Sequence, residues 1–515
     1  MSHKAALPKI CIALGLPTVD KLMTLARQEA ESGESFLEFR LDYLPNPMDG
    51  VAAIGPFLEK YPQCTILATC RRHQNHGHYN GSIEEQVHIL DSAIDAGARA
   101  IDIEIESAEN IESRLEHLRG RAWLVVSYHN FGGTPSLESV LRRMTRIPAD
   151  AYKLVSTARK PSDNFRVLNL VKSNPRCPLI LLAMGETGFP TRVLSTALGS
   201  LYTYAAPITA EGTAAGQVSA KMLRNLYRVE KFTKAAKIYG VIADPVRHSI
   251  SPAVHNRAFQ QRRIDSVYLP FLVHPPQLKD FFLFADKMSI AGFSVTIPHK
   301  QKILRYLDIV DPLARRIGAV NTVFRKAGKW RGLNTDVQGV IAPLSKRVRI
   351  SKSSVLVIGN GGAARGAAFA LADAGAKVSI VGRNADRVRA LAKACNAEPL
   401  LKEQLNSHHF DAIIHATPIG MYPHANESYF QDKIPGDVVF DMVYNPLETQ
   451  LLKQAAEQKK EIITGLQMFL EQAALQFETW TGESAPRPAM DRAAHEALGH
   501  MNHATLANHS NHSSH

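Results

Sequence analysis

The stretch Val355-Leu-Val-Ile-Gly-Asn-Gly-Gly-Ala-Ala364 decides half of the fold. Its first four residues read as a buried strand, and glycines follow where the chain must turn tightly. A helical run comes next, then a second strand at 377–381. Strand, glycine turn, helix and strand form one unit of a parallel sheet. The glycines Gly359, Gly361 and Gly362 let backbone approach a pyrophosphate at the helix N-terminus. Such a turn alone is a weak signal, so the rest of the chain must carry the reading. Further strands at 412–415, 438–441 and 461–464 continue the same lobe.

Upstream, short apolar runs alternate with longer amphipathic ones. Strands are expected at 9–14, 36–40, 65–69, 100–105, 123–128, 151–155, 178–184 and 202–206, with helices between them, for example 84–96 and 137–144. Repeated strand–helix units argue for a parallel sheet. Eight of them over roughly 220 residues match a closed (β/α)8 TIM barrel. An open doubly wound sheet is the alternative, because periodicity does not show closure. A charged helical segment at 221–234 leads to a new strand at 238–242. At 515 residues the chain exceeds what one core supports.

Net charge is +12, but no concentrated basic stripe exists, so nucleic-acid and membrane partners are not expected. The excess fits a solvated basic surface with sites for small anions. The five cysteines, Cys11, Cys64, Cys70, Cys177 and Cys395, are odd in number and form no CxxC pair. That argues against a disulfide framework or a metal site and for a reducing, cytoplasmic compartment. The apolar run 10–16 has no charged leader before it, and no stretch is long enough to span a bilayer.

In a barrel, functional groups gather where strands end. Glu38, Arg40, Arg71, Glu104, His129, Lys153, Arg192 and Gln217 fall at such places. A lysine in an apolar strand, Ala151-Tyr-Lys-Leu-Val155, is costly to bury unless its amine reacts or is paired. Desolvation and nearby arginines would lower its pKa, and the neutral amine would attack a ketone. His129 would take the proton next to the resulting iminium and return it to a leaving hydroxyl. Arg192 would grip a carboxylate in bidentate fashion. The bland alternative for Lys153 is a buried ion pair with Glu104.

Several stretches together carry a resemblance: Phe-Leu-Glu-Phe-Arg-Leu-Asp (36–42), Thr-Cys-Arg (69–71), Ile-Asp-Ile-Glu (101–104), Ser-Tyr-His-Asn-Phe (127–131), Ala-Tyr-Lys-Leu-Val (151–155), Met-Gly-Glu-Thr-Gly (184–188), Arg-Val-Leu (192–194) and Gly216-Gln217. This half resembles type I 3-dehydroquinate dehydratase. The resemblance implies a Schiff base on Lys153, acid–base chemistry by His129, and substrate contacts from Glu38, Arg40, Arg71, Arg192 and Gln217. Thr213 stands where the family has serine. Asn75 stands where the family has a glutamate that orients the histidine. His129 is therefore expected to be less basic or less firmly held, and the lyase weakened.

The second half offers Gly240-Val-Ile-Ala-Asp-Pro-Val-Arg-His-Ser-Ile-Ser-Pro-Ala-Val-His-Asn256, Ser294-Val-Thr-Ile-Pro-His-Lys300, Ile317-Gly-Ala-Val-Asn-Thr-Val323, Gly332-Leu-Asn-Thr-Asp-Val-Gln-Gly339, Ala416-Thr-Pro-Ile-Gly-Met421 and Asp441-Met-Val-Tyr-Asn-Pro446. It resembles shikimate dehydrogenase. That likeness implies Lys300 and Asp336 as the polar couple at the reacting carbonyl. It implies Ser249 and Ser251 for a substrate carboxylate, and Thr296, Asn321, Tyr444 and Gln472 for the rest of the substrate. Read from residues alone, Ser249-Ile-Ser-Pro252 also suits a helix N-cap. NADP would be held by Gly359, Asn360, Gly361, Gly362, Ala363, Ala364, Thr417, Met421 and Gly465. Arg383 and Arg387 fit the additional phosphate of NADP, where an acidic residue would favour NAD. Gly382-Arg383-Asn384 replaces the family's Asn-Arg-Thr, so one adenosine contact is expected to differ. No metal is implied.

The fused order resembles the bifunctional enzymes of the shikimate pathway, with 3-dehydroquinate, 3-dehydroshikimate and shikimate as ligands. The expected division is a barrel over 1–229 and a two-lobed dehydrogenase over 235–490. Its substrate lobe takes 235–340 with 466–490, and its Rossmann lobe takes 341–465. A His/Asn/Ser-rich tail, 491–515, is expected to be disordered. Two alternatives stand beside this reading: a quinate dehydrogenase, and a non-catalytic metabolite sensor. Retention of Ser249 and Ser251 favours shikimate, and retention of Lys153, His129, Lys300 and Asp336 favours an enzyme.

Overall fold

The computed structural model describes residues 5–208, 213 and 216–510. The chain forms two compact units, Met1–Ala236 with Phe271–Ser289, and Lys237–Pro270 with Ile290–His515.

In the first unit the eight expected strands form one parallel sheet. They are β1 (Ile10–Leu14), β2 (Phe36–Arg40), β3 (Thr65–Thr69), β4 (Ala100–Glu104), β5 (Trp123–His129), β6 (Ala151–Thr157), β7 (Leu179–Met184) and β8 (Thr203–Ala205). Their order, β7-β6-β5-β4-β3-β2-β1-β8, is that of a TIM-barrel-like sheet. Where β7 meets β8, the Leu201 N–H donates to the Leu179 carbonyl at 2.8 Å. Inward side chains of Cys11, Phe36, Leu67, Val125, Ile180 and Tyr202 pack a closed inner layer. Fully burying a side chain such as Phe36 stabilises by about 1.5–3 kcal/mol.

The helices are cut from sequence by caps. Ser82 Oγ accepts the Glu85 N–H, and Glu85 Oε2 accepts the Ser82 N–H. This reciprocal pair starts helix Ile83–Asp95 and satisfies two otherwise orphaned donors. The helix buries Val87, Ile89, Leu90 and Ala93. It also turns Gln86 inward, where Nε2 bonds Glu104 at 2.7 Å.

Two expectations need correction here. The charged segment 221–234 is not one helix: a single π-turn, Met222–Leu226, is followed by irregular chain. Leu223, Tyr227 and Val229 are buried, and seating all three overrides helical periodicity. The chain from 491 is not disordered through its described part but continues helix Arg487–Ser510. Met490, Ala494 and Leu498 recur at helical spacing with Ala489 and Ala493 beside them, and all five are buried. This stripe packs against helix Ser251–Arg262. Composition rich in His and Asn concealed it. Residues 511–515 lie outside the described residues.

The second unit holds two sheets. A mixed sheet runs β10-β9-β11-β13-β14-β12, from β9 (Lys237–Ala243), β10 (Ser266–Leu272), β11 (Gly292–Val295), β12 (Ile309–Val310), β13 (Thr322–Lys326) and β14 (Lys329–Leu333). A parallel sheet runs β17-β16-β15-β18-β19-β20, from β15 (Ser354–Ile358), β16 (Lys377–Val381), β17 (Glu398–Pro399), β18 (Phe410–His415), β19 (Gly436–Asp441) and β20 (Glu461–Ile463). Strand order reverses between β15 and β18. Such a switch point opens a crevice at the strands' carboxyl ends.

Helix Ser251–Arg262 carries His255 into the core of this unit. The ring stacks on Tyr268 at 4.5 Å and meets Trp480 at 5.1 Å. Burial pushes its pKa down to about 3. The folded pKa lies below the unfolded value near 6.5, so the unfolded chain binds the proton first. Stability from neutral His255 is complete above about pH 6.5 and falls as pH drops toward the folded value, by about 1.4 kcal/mol per pH unit. Urea midpoints of wild type should therefore decline between pH 6.5 and 4 more steeply than those of His255→Phe. Equal slopes would sink this assignment.

Two candidate active sites

In the barrel, Lys153 is the third residue of β6 and is buried. It therefore lies inside the strand rather than at its end. Nζ donates to Asp102 Oδ2 at 2.9 Å and to the Tyr204 hydroxyl at 2.8 Å, with Glu38 Oε1 at 3.6 Å. Asp102 Oδ1 accepts from Ser127 Oγ at 2.6 Å, and Glu38 Oε1 accepts from Thr69 Oγ1 at 2.7 Å. Carboxylates and a phenol thus face the amine, where arginines were expected. Burial alone would raise the Asp102 pKa, but Lys153 and Arg71 outweigh it and hold the group below the usual carboxylate value.

Glu104 is not the partner of Lys153. It accepts the Arg72 N–H at 3.0 Å and Gln86 Nε2 at 2.7 Å. Strand register places Glu104, Ser127 and Lys153 in one row. Barrel strands tilt across that row, and the long lysine meets Asp102 instead.

His129 closes β5. Arg71 Nη2 lies 3.0 Å from its Nε2. A guanidinium only donates, so Nε2 accepts and the ring proton sits on Nδ1. Burial, then the charges of Arg71, Lys153, Arg40 and His76, hold the pKa of His129 well below 6.5. Asn75 does not reach the imidazole: its amide donates to Glu106 Oε2 at 2.7 Å on the surface. Burial and the surrounding cations, not Asn75, make His129 less basic, and Arg71 lies against its ring.

Arg40 grips Asp42 with both arms, Nε to Oδ1 at 2.9 Å and Nη2 to Oδ2 at 2.8 Å. Asp42 also accepts the His78 N–H at 3.2 Å, which ties down the loop carrying Asn75. Arg192, on helix Phe189–Leu198, is fully buried, and burial brings its pKa down to about 10. The Thr213 methyl lies against the β1 turn, since a Cβ on Gly15 would stand 2.9 Å from it. Gln217 precedes Val218, whose carbonyl accepts the Ala206 N–H beyond β8.

In the second unit, Lys300 Nζ lies 2.6 Å from Asp336 Oδ2. Asp336 Oδ1 accepts from Asn321 Nδ2 at 2.8 Å, and its backbone N–H donates to Asn334 Oδ1 at 3.0 Å. Asn321 Nδ2 also meets Gln472 Oε1 at 3.3 Å. No sequence pattern marks the layer beneath. Gln476 Nε2 donates to the Asn321 carbonyl and to Thr322 Oγ1, while its Oε1 accepts from Ser294 Oγ at 2.8 Å. Tyr268 donates to Ser294 at 2.6 Å and contacts Ser251. One buried chain of hydrogen bonds therefore joins the Ser251 end to Asp336. Tyr268 and Gln476 sit in apolar runs with no polar signature of their own.

Ser249 is not the N-cap of its helix. Ile250 holds that position, and Ser249 Oγ accepts the Ser251 N–H at 3.3 Å. Thr296 follows β11, its backbone N–H on the Ile242 carbonyl. Tyr444 packs on Phe469, ring centroids 5.2 Å apart, and burial pushes its pKa up to about 12.

The glycine turn fits a dinucleotide. Gly359 has φ +124°, and a Cβ there would stand 2.9 Å from the Ala416 carbonyl, so only glycine fits. A Cβ on Gly361 would meet nothing within 4 Å, leaving room above helix Gly362–Asp373, which Ala363 and Ala364 continue. A Cβ on Gly362 would lie 3.7 Å from Lys300 Cβ, which puts the turn beside the Lys300–Asp336 pair. Asn360 Nδ2 reaches the Asn384 carbonyl at 3.4 Å. Arg383 and Arg387 are exposed. Asn384 caps the next helix through the Arg387 N–H at 3.0 Å. Met421 is part-exposed at 40 %. Gly465 is packed so closely that a Cβ would stand 2.5 Å from the Val443 carbonyl.

These two sites define the class: a lyase barrel followed in the same chain by a nicotinamide-dependent oxidoreductase. Residues 10–233 match type I 3-dehydroquinase. Residues 241–323 match the shikimate dehydrogenase substrate binding domain, 343–427 match shikimate / quinate 5-dehydrogenase, and 465–495 match the shikimate 5'-dehydrogenase C-terminal domain. A chloroplastic bifunctional 3-dehydroquinate dehydratase/shikimate dehydrogenase of Arabidopsis thaliana is 34% identical over 93% of this chain and 83% of its own length. An NADP(+) shikimate dehydrogenase of Bacillus cereus is 39% identical over 51% of this chain and 99% of its own. A Thermus thermophilus shikimate 5-dehydrogenase, solved with NADP(H) and shikimate, is 32% identical over 51% of this chain and 99% of its own, with a TM-score of 0.48. The chain belongs to the family of bifunctional 3-dehydroquinate dehydratases/shikimate dehydrogenases. No helix among the described residues is long and apolar enough to cross a membrane.

Proposed function

We propose that residues 1–229 dehydrate 3-dehydroquinate to 3-dehydroshikimate, and that residues 235–490 reduce this product to shikimate with NADPH. The observation that carries the first step is a buried lysine amine held among acceptors on a strand next to a neutral histidine. Transfer of the ammonium proton to one of those oxygens frees the Nζ lone pair. The amine adds to the ketone, water departs, and an iminium forms. His129 Nε2, released from Arg71, takes the proton on the neighbouring carbon and returns it to the leaving hydroxyl. Water then hydrolyses the iminium and restores Lys153. Arg192 holds the carboxylate, with Glu38, Arg40, Arg71, Thr213 and Gln217 as further contacts.

At the second site NADPH, when bound, supplies the hydride. The ammonium of Lys300 hydrogen-bonds the carbonyl oxygen as negative charge develops there, Asp336 fixes that ammonium, and a proton drawn through Lys300 from solvent completes the new hydroxyl. Ser249 and Ser251 receive the carboxylate. Thr296, Asn321, Tyr444 and Gln472 face the rest of the substrate, and Arg383 with Arg387 selects the phosphorylated cofactor. The five cysteines are free, which supports a reducing compartment; we take it to be the cytoplasm. Its ligands are small molecules, with no nucleic-acid or membrane partner.

The test supplies 3-dehydroquinate and NADPH together and follows shikimate formation with cofactor oxidation. Both should proceed in the single chain. Failure to form 3-dehydroshikimate would refute the barrel assignment, and its accumulation without shikimate would refute the second. With NADP+ as acceptor, shikimate should be oxidised in preference to quinate.

A further inference from the structure

A buried histidine that the mechanism does not use stands at the switch point of the parallel sheet. His415 ends β18, paired with Ile358 at the end of β15. The next residue lies against the nucleotide turn, since the Ala416 N–H donates to the Ile358 carbonyl at 2.9 Å. Both His415 and Asp441 are fully buried, at 1 % and 0 % exposure. His415 Nδ1 lies 2.9 Å from Asp441 Oδ1, and its Nε2 lies 2.5 Å from Thr417 Oγ1. Asp441 also accepts the Val443 N–H at 3.0 Å and the Thr449 hydroxyl at 2.6 Å.

Asp441 accepts from three donors, so Nδ1 carries a ring proton, and in the neutral ring Nε2 is then an acceptor. Thr417 then donates its hydroxyl hydrogen to Nε2. Its oxygen already receives the Ile419 N–H at 3.3 Å, which leaves one lone pair. A threonine held in this way can offer a ligand only an acceptor. We propose that His415 is a positioning residue for the nicotinamide cofactor: anchored by Asp441, it locks Thr417 as a hydrogen-bond acceptor for an N–H or O–H of the cofactor's nicotinamide–ribose half. The proposal rests on the reading that the cofactor lies in the β15–β18 crevice. Neither Asp441 nor His415 touches the ligand. Their role is to remove the rotational freedom of one hydroxyl before binding, so that its ordering is not lost from the affinity.

The experiment is calorimetric titration of NADP+ into the full chain, with dehydration of 3-dehydroquinate as the check that the protein is folded. His415→Phe should weaken binding about tenfold, the loss of one well-placed hydrogen bond. His415→Asn keeps an N–H for Asp441 and a carbonyl for Thr417, and should recover most of that loss. Thr417→Val should weaken binding to a similar degree, and adding His415→Phe to it should change affinity less than about twofold, because the two residues act as one unit. The Michaelis constant for 3-dehydroshikimate should stay near wild type in His415→Asn. Additive losses in the double variant would overturn the proposal, as would wild-type affinity in Thr417→Val. Absence of NADP+ binding by wild type would instead bring down the cofactor reading on which the proposal stands.

Discussion

Lys153→Met is expected to abolish dehydration of 3-dehydroquinate, with a loss of roughly 10⁴-fold or more. Reduction of added 3-dehydroshikimate by NADPH should remain at the wild-type rate. The size of the effect follows from chemistry. Without an amine no iminium forms, and His129, with its depressed pKa, is too weak a base to remove the proton beside an unactivated ketone. Borohydride added with substrate should attach mass at Lys153 in wild type and nowhere in the variant. The substitution leaves Asp102 and Glu38 buried without their shared cation, which costs about 3–5 kcal/mol. Lys153→Gln, which still donates hydrogen bonds, separates that cost from the chemistry: it should be better folded than Lys153→Met and equally inactive. Retained dehydration in either variant would rule out the covalent route.

Lys300→Met should have the converse effect. Reduction of 3-dehydroshikimate should fall roughly 10³-fold, while dehydration is untouched. Lys300 meets Asp336 at 2.6 Å, and Asp336 is held in turn by Asn321 and by its own backbone bond to Asn334. The couple is therefore ordered before substrate arrives, and its loss is felt mainly in the turnover number, because charge on the carbonyl oxygen grows along the reaction. NADP+ affinity should stay within about threefold of wild type, since the glycine turn and exposed arginines remain. A variant that loses cofactor binding and both activities together would show that Lys300 supports the fold and not the reaction.

The two sites differ in how far they could be read from residues alone. Lys153, His129 and Arg192 stood out because a polar group in or soon after an apolar strand is costly unless it is paired or reacts; the structure pairs Lys153 with Asp102 and sets Arg192 inside helix Phe189–Leu198. Their surroundings were not recognisable. Asp102 and Glu104 occupy the same face of β4, and only strand tilt gives Asp102 rather than Glu104 to the amine. Asn75 was expected to loosen His129, yet Arg71 holds the ring, because the Arg40–Asp42 fork and the His78 N–H set the path of that loop. In the second unit Gln476 and Tyr268 carry the bonds between Ser294, Asn321 and Ser251, although each lies among apolar neighbours where a polar side chain reads as incidental.

Sequence by itself determined the strand–helix order of the barrel and of the nucleotide lobe, the parallel pairing of their strands, the glycine-only turn at Gly359 and the separation into two chemistries. These depend on local periodicity and on single-residue sterics, which act over a few neighbours. The tertiary structure decided which oxygen faces Lys153, which nitrogen of His129 and of His415 carries the proton, and that the chain beyond Arg487 is helical against its own unit. Those outcomes depend on distances between residues far apart in the chain, such as the 51 positions between Asp102 and Lys153. Hydrogen bonds and Coulomb interactions change over ångströms, and only the packed backbone fixes positions that finely.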